Sequence, residues 1–286
     1  MRATDRLREL LQASDITVAP GVFDGLSARL VERAGFAAVY ASGGAIARST
    51  GVPDLGLLSS SEMIARIETI VEATHLPVIA DADTGYGNAL NVRRTVAQYA
   101  RAGVAALHIE DQLFPKRCGH YEDKALEPAE VMTQKIRAAR EAAEPSGLVI
   151  IARTDAIAVE GLDSALARAA RYAAAGADVL FVEAPRSLAE IERIAQALPQ
   201  PKLINMFQGG KTPLVPLATL QKLGYKLVII PSDLQRASIR AMEETLAVIK
   251  AEGNSAAIEG RLASFATREA LVGLADYVAL EKRYSG

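Results

Sequence analysis

The single cysteine of the chain lies in a short run of cationic residues that could do chemistry. Cys118 follows Lys116 and Arg117, and His120 comes two residues later. Nearby positive charge favours the thiolate, so the ionisation of this thiol is easy to tune. Cys118 is therefore a candidate for proton transfer or nucleophilic attack, with His120 as a second catalytic candidate. The alternative is a small buried apolar side chain, which is how free cysteines commonly serve.

Carboxylates recur where apolar runs of the sequence end. Asp81 and Asp83 follow one run, Glu110 and Asp111 follow the next, and Asp54 lies in a loop before them. Closely spaced buried carboxylates repel each other and are costly to desolvate unless a cation joins them. Hard oxygen ligands favour Mg²⁺ or Mn²⁺. The sequence predicts a metal site of Asp81, Asp83, Asp54 and Glu110, and a solvated charge cluster is the alternative.

Hydroxyl and backbone donors follow the second apolar run. Tyr40 lies near its end, and Ser42, Gly43 and Gly44 come directly after it. A phenol, a hydroxyl and two glycine N–H groups suit the binding of a carboxylate or oxyanion. An ordinary glycine-rich turn explains the same pattern.

Three further polar residues end later apolar runs. Arg153 offers a bidentate clamp for a carboxylate, and Glu183 is its expected orienting partner. Asn205 closes the run after that. A structural ion pair between neighbouring strands is the alternative for Arg153 and Glu183.

Composition narrows the function classes. The 286 residues carry 32 basic and 34 acidic side chains, for a formal net charge of −2, so nothing favours nucleic acid or an anionic membrane as partner. We expect a small-molecule partner. One cysteine excludes an intramolecular disulfide framework, and no apolar run reaches the length of a membrane span, so we expect a cytoplasmic protein.

A repeated rhythm of apolar runs and amphipathic helical patterns positions these residues. The eight apolar runs are 16–19, 37–41, 78–80, 105–109, 148–152, 179–182, 202–205 and 227–230. A glycine precedes four of them, at Gly35, Gly103, Gly176 and Gly224, where a helix would end. Eight such units predict a (β/α)₈ TIM barrel, an α/β fold whose site lies beyond the C-terminal ends of the strands. A doubly wound sheet is the alternative, although no Gly-x-Gly-x-x-Gly follows the first run.

The C-terminal part predicts more helix than one barrel needs. We expect a strong helix over 236–250, a helix or linker over 254–264 and a final helix over 267–284. The prediction is one barrel domain over 1–286 with a helical extension from about 251 to 286. These helices pack either on a neighbouring subunit or on their own chain.

With these residues in view, the chain resembles the isocitrate lyase and phosphoenolpyruvate mutase superfamily, and its lyase branch most of all. The resemblance runs from about residue 18 to 268. It rests on the motifs Tyr-Ala-Ser-Gly-Gly, Pro-Asp-Leu-Gly, Asp-Ala-Asp-Thr-Gly-Tyr-Gly, His-Ile-Glu-Asp-Gln, Lys-Arg-Cys-Gly-His, Ala-Arg-Thr-Asp-Ala and Thr-Arg-Glu.

The resemblance implies a Mg²⁺-dependent, retro-aldol-type cleavage of a substituted malate or 2-methylisocitrate-like acid into a 2-oxo acid and a second carboxylate. It implies metal binding by Asp81 and Asp83, and through water by Asp54 and Glu110. Substrate would be bound by Ser42, Gly43, Gly44, Gly119, Arg153, Glu183 and Asn205. Tyr40 is the candidate for the base that takes the hydroxyl proton. Cys118, on a mobile lid with His120, would protonate the departing carbanion.

Some positions depart from the family pattern or leave a choice. The run Asn205-Met206-Phe207 implies a smaller or more apolar substrate tail. By the same resemblance, Pro231 argues against the oxaloacetate hydrolase and decarboxylase branches. Arg236 and Arg268 resemble substrate-binding positions, but Arg240 lies one helical turn from Arg236 and is an alternative. The family also implies a dimer or tetramer that swaps the last barrel helix. An oxaloacetate hydrolase or decarboxylase, a phosphonomutase and a non-catalytic dicarboxylate-binding barrel are the alternative functions.

Overall fold

Eight parallel strands form a closed barrel in the computed structural model, which describes residues 1–117, 119 and 123–285. The strands are β1 (Thr17–Val22), β2 (Val39–Ala41), β3 (Val78–Asp81), β4 (Ala106–Glu110), β5 (Val149–Thr154), β6 (Val179–Val182), β7 (Lys202–Asn205) and β8 (Tyr225–Ile230). Each strand pairs with the next, and β1 pairs with β8 to close the barrel. The TIM-barrel prediction is confirmed, and the doubly wound alternative is excluded.

Helices surround the strands. They are α1 (Ala3–Gln12), α2 (Gly25–Arg33), α3 (Gly43–Ser49), α4 (Ser60–Ala73), α5 (Ala89–Ala102), α6 (Ala129–Ala143), α7 (Ala156–Val159), α8 (Leu162–Ala174), α9 (Leu188–Ala197), α10 (Leu217–Lys222), α11 (Asp233–Glu252), α12 (Phe265–Leu271) and α13 (Leu274–Tyr284). A 3₁₀ helix spans Ala256–Arg261. No helix among the described residues is both long and apolar enough to cross a membrane.

The predicted strands lie where the apolar runs are. The runs 179–182 and 202–205 coincide with β6 and β7, and the other six shift by a few residues. Several strands extend into polar residues that the apolar pattern alone would not include, such as Asp81, Glu110 and Arg153. Gly103 and Gly176 both have positive φ, 87° and 109°, which is the left-handed conformation that ends the preceding helix. The predicted helix-to-strand turns are confirmed at these positions.

The apolar core has two layers. One cluster lies between the strands and the surrounding helices, and the other fills the barrel interior. Leu7 and Leu11 of α1 belong to the interior cluster, together with Ile79 and Phe181. The first helix therefore forms the floor of the barrel at its N-terminal end, a role that the charged N-terminal sequence did not suggest.

The C-terminal helices differ in part from the prediction. The expected helix over 236–250 is confirmed and is longer, as α11. The final helix predicted over 267–284 is wrong in its continuity, because the chain breaks into α12 and α13 at Gly273, which has φ 73°. A glycine in the left-handed conformation cannot continue an α-helix. The intervening segment forms a short 3₁₀ helix.

Removing the Leu7 side chain should lower stability without touching the barrel mouth. Leu7 is fully buried, so we expect Leu7→Ala to reduce the free energy of unfolding by about 2–5 kcal/mol through lost burial and a residual cavity. Urea denaturation followed by circular dichroism measures this. Gln12→Ala, at an exposed position of the same helix, should change the free energy of unfolding by less than about 0.5 kcal/mol. Equal effects of the two substitutions would contradict the role of α1 as a floor.

Candidate active site

A cavity of about 410 Å³ opens at the C-terminal ends of the strands. Strand ends, the loops that follow them and the N-terminal part of α11 supply its walls, as expected for a barrel enzyme. The lining includes Tyr40, Ser42, Gly44, Asp54, Asp81, Lys116, Arg117, Gly119, Arg153, Glu183, Asn205, Phe207, Ile229, Pro231 and Arg236.

Four predicted carboxylates lie at this mouth. Asp54, Asp81, Asp83 and Glu110 are all buried. The backbone N–H of Glu110 donates to the Asp83 carbonyl at 2.9 Å, which joins the loop after β3 to the end of β4. The Asp83 N–H in turn donates to the Asp81 carboxylate at 2.9 Å. Acidic groups from separate segments thus share one buried region.

The cation between these acids in the structure is the ammonium of Lys116. Its Nζ contacts the Asp54 carboxylate and lies 2.8 Å from Asp83 Oδ1. Burial lowers the pKa of Lys116, but Asp83 and Asp54 outweigh burial and raise this pKa well above its usual value. Lys116 is therefore charged, and it offsets part of the negative charge. From the sequence, this lysine is expected only to influence the ionisation of the Cys118 thiol.

Burial shifts the pKa values of the acids apart. It raises the pKa of Asp83 to about 6, against the opposing effect of Lys116. Burial also raises the pKa of Glu110 well above its usual value, although Arg153 opposes the shift. Burial acts in the same direction on Asp81, but His108 and Lys116 outweigh it and lower its pKa. Asp81 is ionised most readily of the three.

The donor set fits a hard divalent cation in its chemistry. The acids are oxygen ligands of the kind Mg²⁺ and Mn²⁺ prefer, and Glu110 Oε1 is buried without a hydrogen-bond partner. Within residues 1–117, 119 and 123–285, however, no three His, Cys, Asp or Glu side chains stand close enough to coordinate a metal together. Ion binding therefore requires side-chain rearrangement among these acids or ligation through water.

Arg153 has a different main partner from the one predicted. Its guanidinium donates to both oxygens of Asp155, from Nε at 2.9 Å and Nη2 at 3.1 Å. Its Nη1 lies 3.1 Å from Glu110, and its Nη2 lies 3.5 Å from Glu183. The expectation that Glu183 chiefly orients Arg153 is thus corrected. Asp155 lies two residues after Arg153 in the sequence. This i, i+2 spacing of an arginine and an acid was the signal that could have predicted their pairing.

Asp111 does not line the cavity, although the sequence placed it with the metal acids. Its carboxylate accepts hydrogen bonds from Thr154 Oγ1 at 2.7 Å, Tyr172 Oη at 2.8 Å and the Asp155 N–H at 2.9 Å. Arg168 lies 3.4 Å away. Successive residues of a strand point to opposite sides of the sheet. Asp111 therefore points towards the helices, whereas Glu110 points towards the site. It anchors the end of β5.

Tyr40 belongs to a buried hydrogen-bonded pair. Its Oη lies 2.8 Å from His108 Nε2 and donates to Asp81 Oδ2 at 3.3 Å. Burial raises the pKa of Tyr40 well above its usual value, and Asp81 adds to the shift. The phenol is therefore protonated at neutral pH and must lose its proton before it can accept another. His108 was quoted in a motif but not named as a site residue.

The two glycines after β2 are needed for close approach. A Cβ on Gly43 would meet Asp81 Oδ2 at 2.5 Å, and one on Gly44 would meet Asp54 Oδ2 at 2.7 Å. Neither glycine has positive φ, so space rather than backbone freedom explains them. Ser42 caps α3, since its Oγ accepts from the Ala45 N–H at 3.3 Å, and it lines the cavity.

The remaining candidates divide between the cavity and the outer surface. Asn205 lines the cavity and donates to Glu183 at 3.4 Å. Arg236 also lines it, whereas Arg240 pairs with Glu244 at 2.8 Å on the exposed side of α11, so Arg236 is the cavity residue of the two.

Arg268 is not among the residues that line the cavity. It stacks over the Phe265 ring and pairs with Glu269 at 2.6 Å on the exposed helix α12. Within one chain it does not join the other candidates.

Gly119 lines the cavity, where a Cβ would meet Arg153 Nη2 at 2.5 Å. Cys118 and His120, the two residues beside it, lie outside the described residues. Their predicted catalytic roles stay predictions.

Together, the barrel and this cavity define an enzyme scaffold that gathers buried acids, an arginine and a lysine around a space suited to a small polar ligand. Residues 7–250 match the family model described as phosphoenolpyruvate phosphomutase. The chain belongs to the phosphoenolpyruvate mutase/isocitrate lyase superfamily.

Named relatives span almost the whole chain. It is 41% identical to the 2,3-dimethylmalate lyase of Eubacterium barkeri, covering 100% of this chain and 99% of the relative. It is 46% identical to a 2-methylisocitrate lyase of Aeropyrum pernix, covering 97% and 88%.

Solved structures agree in fold. A crystal structure of 2,3-dimethylmalate lyase superimposes with a TM-score of 0.94 at 37% identity, covering 100% of this chain and 96% of that one. A phosphonopyruvate hydrolase in complex with oxalate and Mg²⁺ superimposes with a TM-score of 0.91 at 31% identity, covering 100% of both chains.

Mg²⁺ binding should weaken as the solution becomes acidic. A ligand carboxylate must be ionised, and the pKa of Asp83 is about 6, so affinity should fall about tenfold between pH 7 and pH 5. Protonation of Glu110 would act in the same direction. Isothermal titration calorimetry at the two pH values measures the change.

Two controls accompany this titration. Circular dichroism checks that the protein stays folded at pH 5. Asp83→Asn should bind Mg²⁺ weakly at both pH values, with a smaller pH dependence. Equal wild-type affinity at pH 7 and pH 5 would show that Asp83 is not a ligand.

Proposed function

We propose that the protein is a Mg²⁺-dependent carbon–carbon lyase that cleaves a 2-hydroxy acid into a 2-oxo acid and a second carboxylate. The observation that carries this proposal is the juxtaposition of buried acids with Arg153 in one cavity. The lyase names of relatives at 41% and 46% identity support it. The Mg²⁺ in a superimposable phosphonopyruvate hydrolase supports the choice of cation.

The acids at the mouth would hold the ion. We assign Asp81 and Asp83 as direct ligands, with Asp54 and Glu110 acting through water, and Mn²⁺ as a substitute. When bound, the cation supplies Lewis-acid polarisation of the 2-hydroxy acid. Lys116 meanwhile holds Asp54 and Asp83 in place.

The carboxylate of the 2-hydroxy acid would bind between Arg153 and the turn after β2. Arg153 is charged and faces the cavity, and Ser42 and Gly44 border the same space, with Gly43 between them in the chain. Gly119 closes this side, while Glu183 and Asn205 form a hydrogen-bonded pair next to it. The clamp fixes the substrate so that its hydroxyl points to the proton acceptor.

Two proton transfers complete the reaction. Tyr40 accepts the hydroxyl proton while its own proton passes to His108 Nε2, which lies within hydrogen-bond reach. The carbon–carbon bond then breaks, the former hydroxyl carbon becomes a carbonyl, and the electron pair stays on the departing carbon. Cys118 donates its thiol proton to that carbon, with His120 as its neighbour. The role assigned to Cys118 requires the thiol to be protonated before cleavage.

Apolar residues in the lining favour an alkyl-substituted malate as substrate. Phe207, Ile229 and Pro231 all border the cavity, which suits a methylated tail as in 2,3-dimethylmalate. Arg236 and Arg117 also border the cavity, and this favours the second candidate, 2-methylisocitrate, whose tail carries a further carboxylate. Both substrates undergo the same cleavage.

We also propose that the chain works as one barrel domain over 1–286 within a dimer or tetramer. Gln235 is the buried residue of α11, and Met242, Leu246 and Ile249 are exposed on it. An apolar groove of about 330 Å³ lies on the outside of the barrel, where a last helix would pack; its lining includes Pro20, Leu30, Phe36, Ile230 and Leu234. A helix exchanged between subunits would cover both surfaces, together with the extension from about 251 to 286. The cytoplasmic location stays a prediction.

Product release from candidate acids tests the lyase proposal. With Mg²⁺, we expect pyruvate or another 2-oxo acid from 2,3-dimethylmalate or 2-methylisocitrate, and none after EDTA treatment. Cys118→Ser should lower turnover by about a hundredfold or more, because the proton donor is lost. The exposed control Arg240→Ala should keep wild-type turnover. Turnover of oxaloacetate or a phosphonate in place of both acids, or Mg²⁺-dependent binding without product, would replace the lyase proposal with one of its alternatives.

Charge on the exposed apolar side of α11 should disrupt assembly. We expect wild-type protein to elute as a dimer or tetramer in size-exclusion chromatography with light scattering, and Leu246→Glu to shift towards monomer, because a buried charge is costly. Ala247→Glu places the same charge about 100° around the helix and should have the smaller effect. A monomeric wild type would contradict the proposed assembly.

A further inference from the structure

The carboxylate of Asp155 is shared by two buried cations. Its Oδ1 accepts from Lys124 Nζ at 2.8 Å and from Arg153 Nη2 at 3.1 Å, and its Oδ2 accepts from Arg153 Nε at 2.9 Å. The Lys124 side chain is 1% exposed and the Asp155 side chain is fully buried. The proposed reaction uses neither Lys124 nor Asp155 directly.

Lys124 reaches back along the chain as well. Its Nζ also donates to the carbonyl oxygen of Gly119 at 2.5 Å. One ammonium therefore ties the backbone beside Cys118 to the carboxylate that holds the Arg153 guanidinium. Gly119 itself leaves no room for a shift towards that guanidinium, since even a Cβ would meet Arg153 Nη2 at 2.5 Å.

We propose that Lys124 is a positioning residue, which acts through Asp155 to keep the Gly119 backbone at a fixed position relative to the Arg153 guanidinium. The inference rests on the proposed function, because this relative position matters only if the substrate carboxylate at Arg153 and the proton donor beside Gly119 act on one molecule.

Asp155 is suited to be the fixed point of this arrangement. Its backbone N–H donates to Asp111, which Tyr172 and Arg168 hold from the helical layer. Burial by itself would raise the pKa of Asp155, but Arg153 and Lys124 outweigh it and hold this pKa well below its usual value. The carboxylate thus remains ionised, and it cannot release one cation without leaving a buried charge uncompensated.

A purely structural ion pair is the competing explanation. A buried lysine that loses its partner is destabilising wherever it lies, so loss of stability alone does not separate the two explanations. A positioning role predicts in addition that turnover falls more than substrate affinity, because a displacement of about 1 Å can cost about a hundredfold in rate. It also predicts a change in how ligand binding protects Cys118.

The test compares Lys124→Met and Lys124→Arg with wild type. For each variant we would measure kcat, KM, thermal unfolding and the rate at which DTNB modifies the thiol, with and without oxalate plus Mg²⁺. Cys118 is the single cysteine, so the thiol signal has one source. Taking the ratio of the two rates within each variant removes differences in intrinsic thiol reactivity.

We expect kcat of Lys124→Met to fall about tenfold to a hundredfold with KM changed less than about threefold, and ligand protection of the thiol to be largely lost. Lys124→Arg should restore part of both. Lys202→Met is the matched control, because Lys202 is also buried but donates to the carbonyls of Leu198 and Gln200 at the N-terminal end of β7. It should lower stability and leave kcat and thiol protection unchanged.

The outcomes separate this inference from the proposed function. Wild-type protection in Lys124→Met overturns the positioning role, even if the protein is an active lyase. Loss of protection in Lys124→Met together with no lyase activity in wild type supports the coupling of Lys124 to the thiol, but it rejects the proposed reaction and with it the catalytic purpose of that coupling. A matching loss of turnover and protection in Lys202→Met would assign the effect to stability alone.

Discussion

The excess of buried negative charge at the barrel mouth is the constraint on which the rest of the site depends. Among the described residues, the carboxylates of Asp54, Asp81, Asp83, Glu110, Asp155 and Glu183 are buried there, and the buried cations are Lys116, Lys124 and Arg153. Isolated carboxylates in such surroundings would be prohibitively costly. Two features of the site reduce this cost. The pKa values of Asp83 and Glu110 are raised, which favours their neutral forms, and the ionised carboxylates share buried cations. A divalent ion would remove much of the remaining excess.

The sequence predicted the parts of this arrangement that follow from strand order. Once eight apolar runs indicate a barrel, the residues that end each run must meet at one mouth, so Asp81, Glu110 and Arg153 were placed together correctly. Side-chain direction was harder to predict. In strands that are buried on both faces, apolar residues fill both the interior and the helical side, and the pattern does not tell which face a polar residue at the end takes. Asp111 was misplaced for this reason.

Other features depend on contacts between distant segments. The partnership of Arg153 with Lys124 through Asp155 involves residues that only tertiary structure brings together. The break between α12 and α13 arises at one glycine within an otherwise helical pattern, where helix propensity alone favours continuation at a cost of only about 1 kcal/mol. The apolar surface of α11 and the groove outside the barrel also depend on such contacts. Their role is explained only by the segment or subunit that packs against them.

The closed floor of the barrel has a consequence for the order of events in turnover. Leu7 and Leu11 pack in the interior cluster at the N-terminal end, and the cavity opens at the opposite end of the barrel. Under the proposed cleavage, both fragments would depart through this opening. The 2-oxo acid, bound at Arg153 and the acids, would lie behind the fragment that carries the tail. Its release would come second, so it would act as a competitive inhibitor of the substrate, whereas the tail fragment would inhibit noncompetitively.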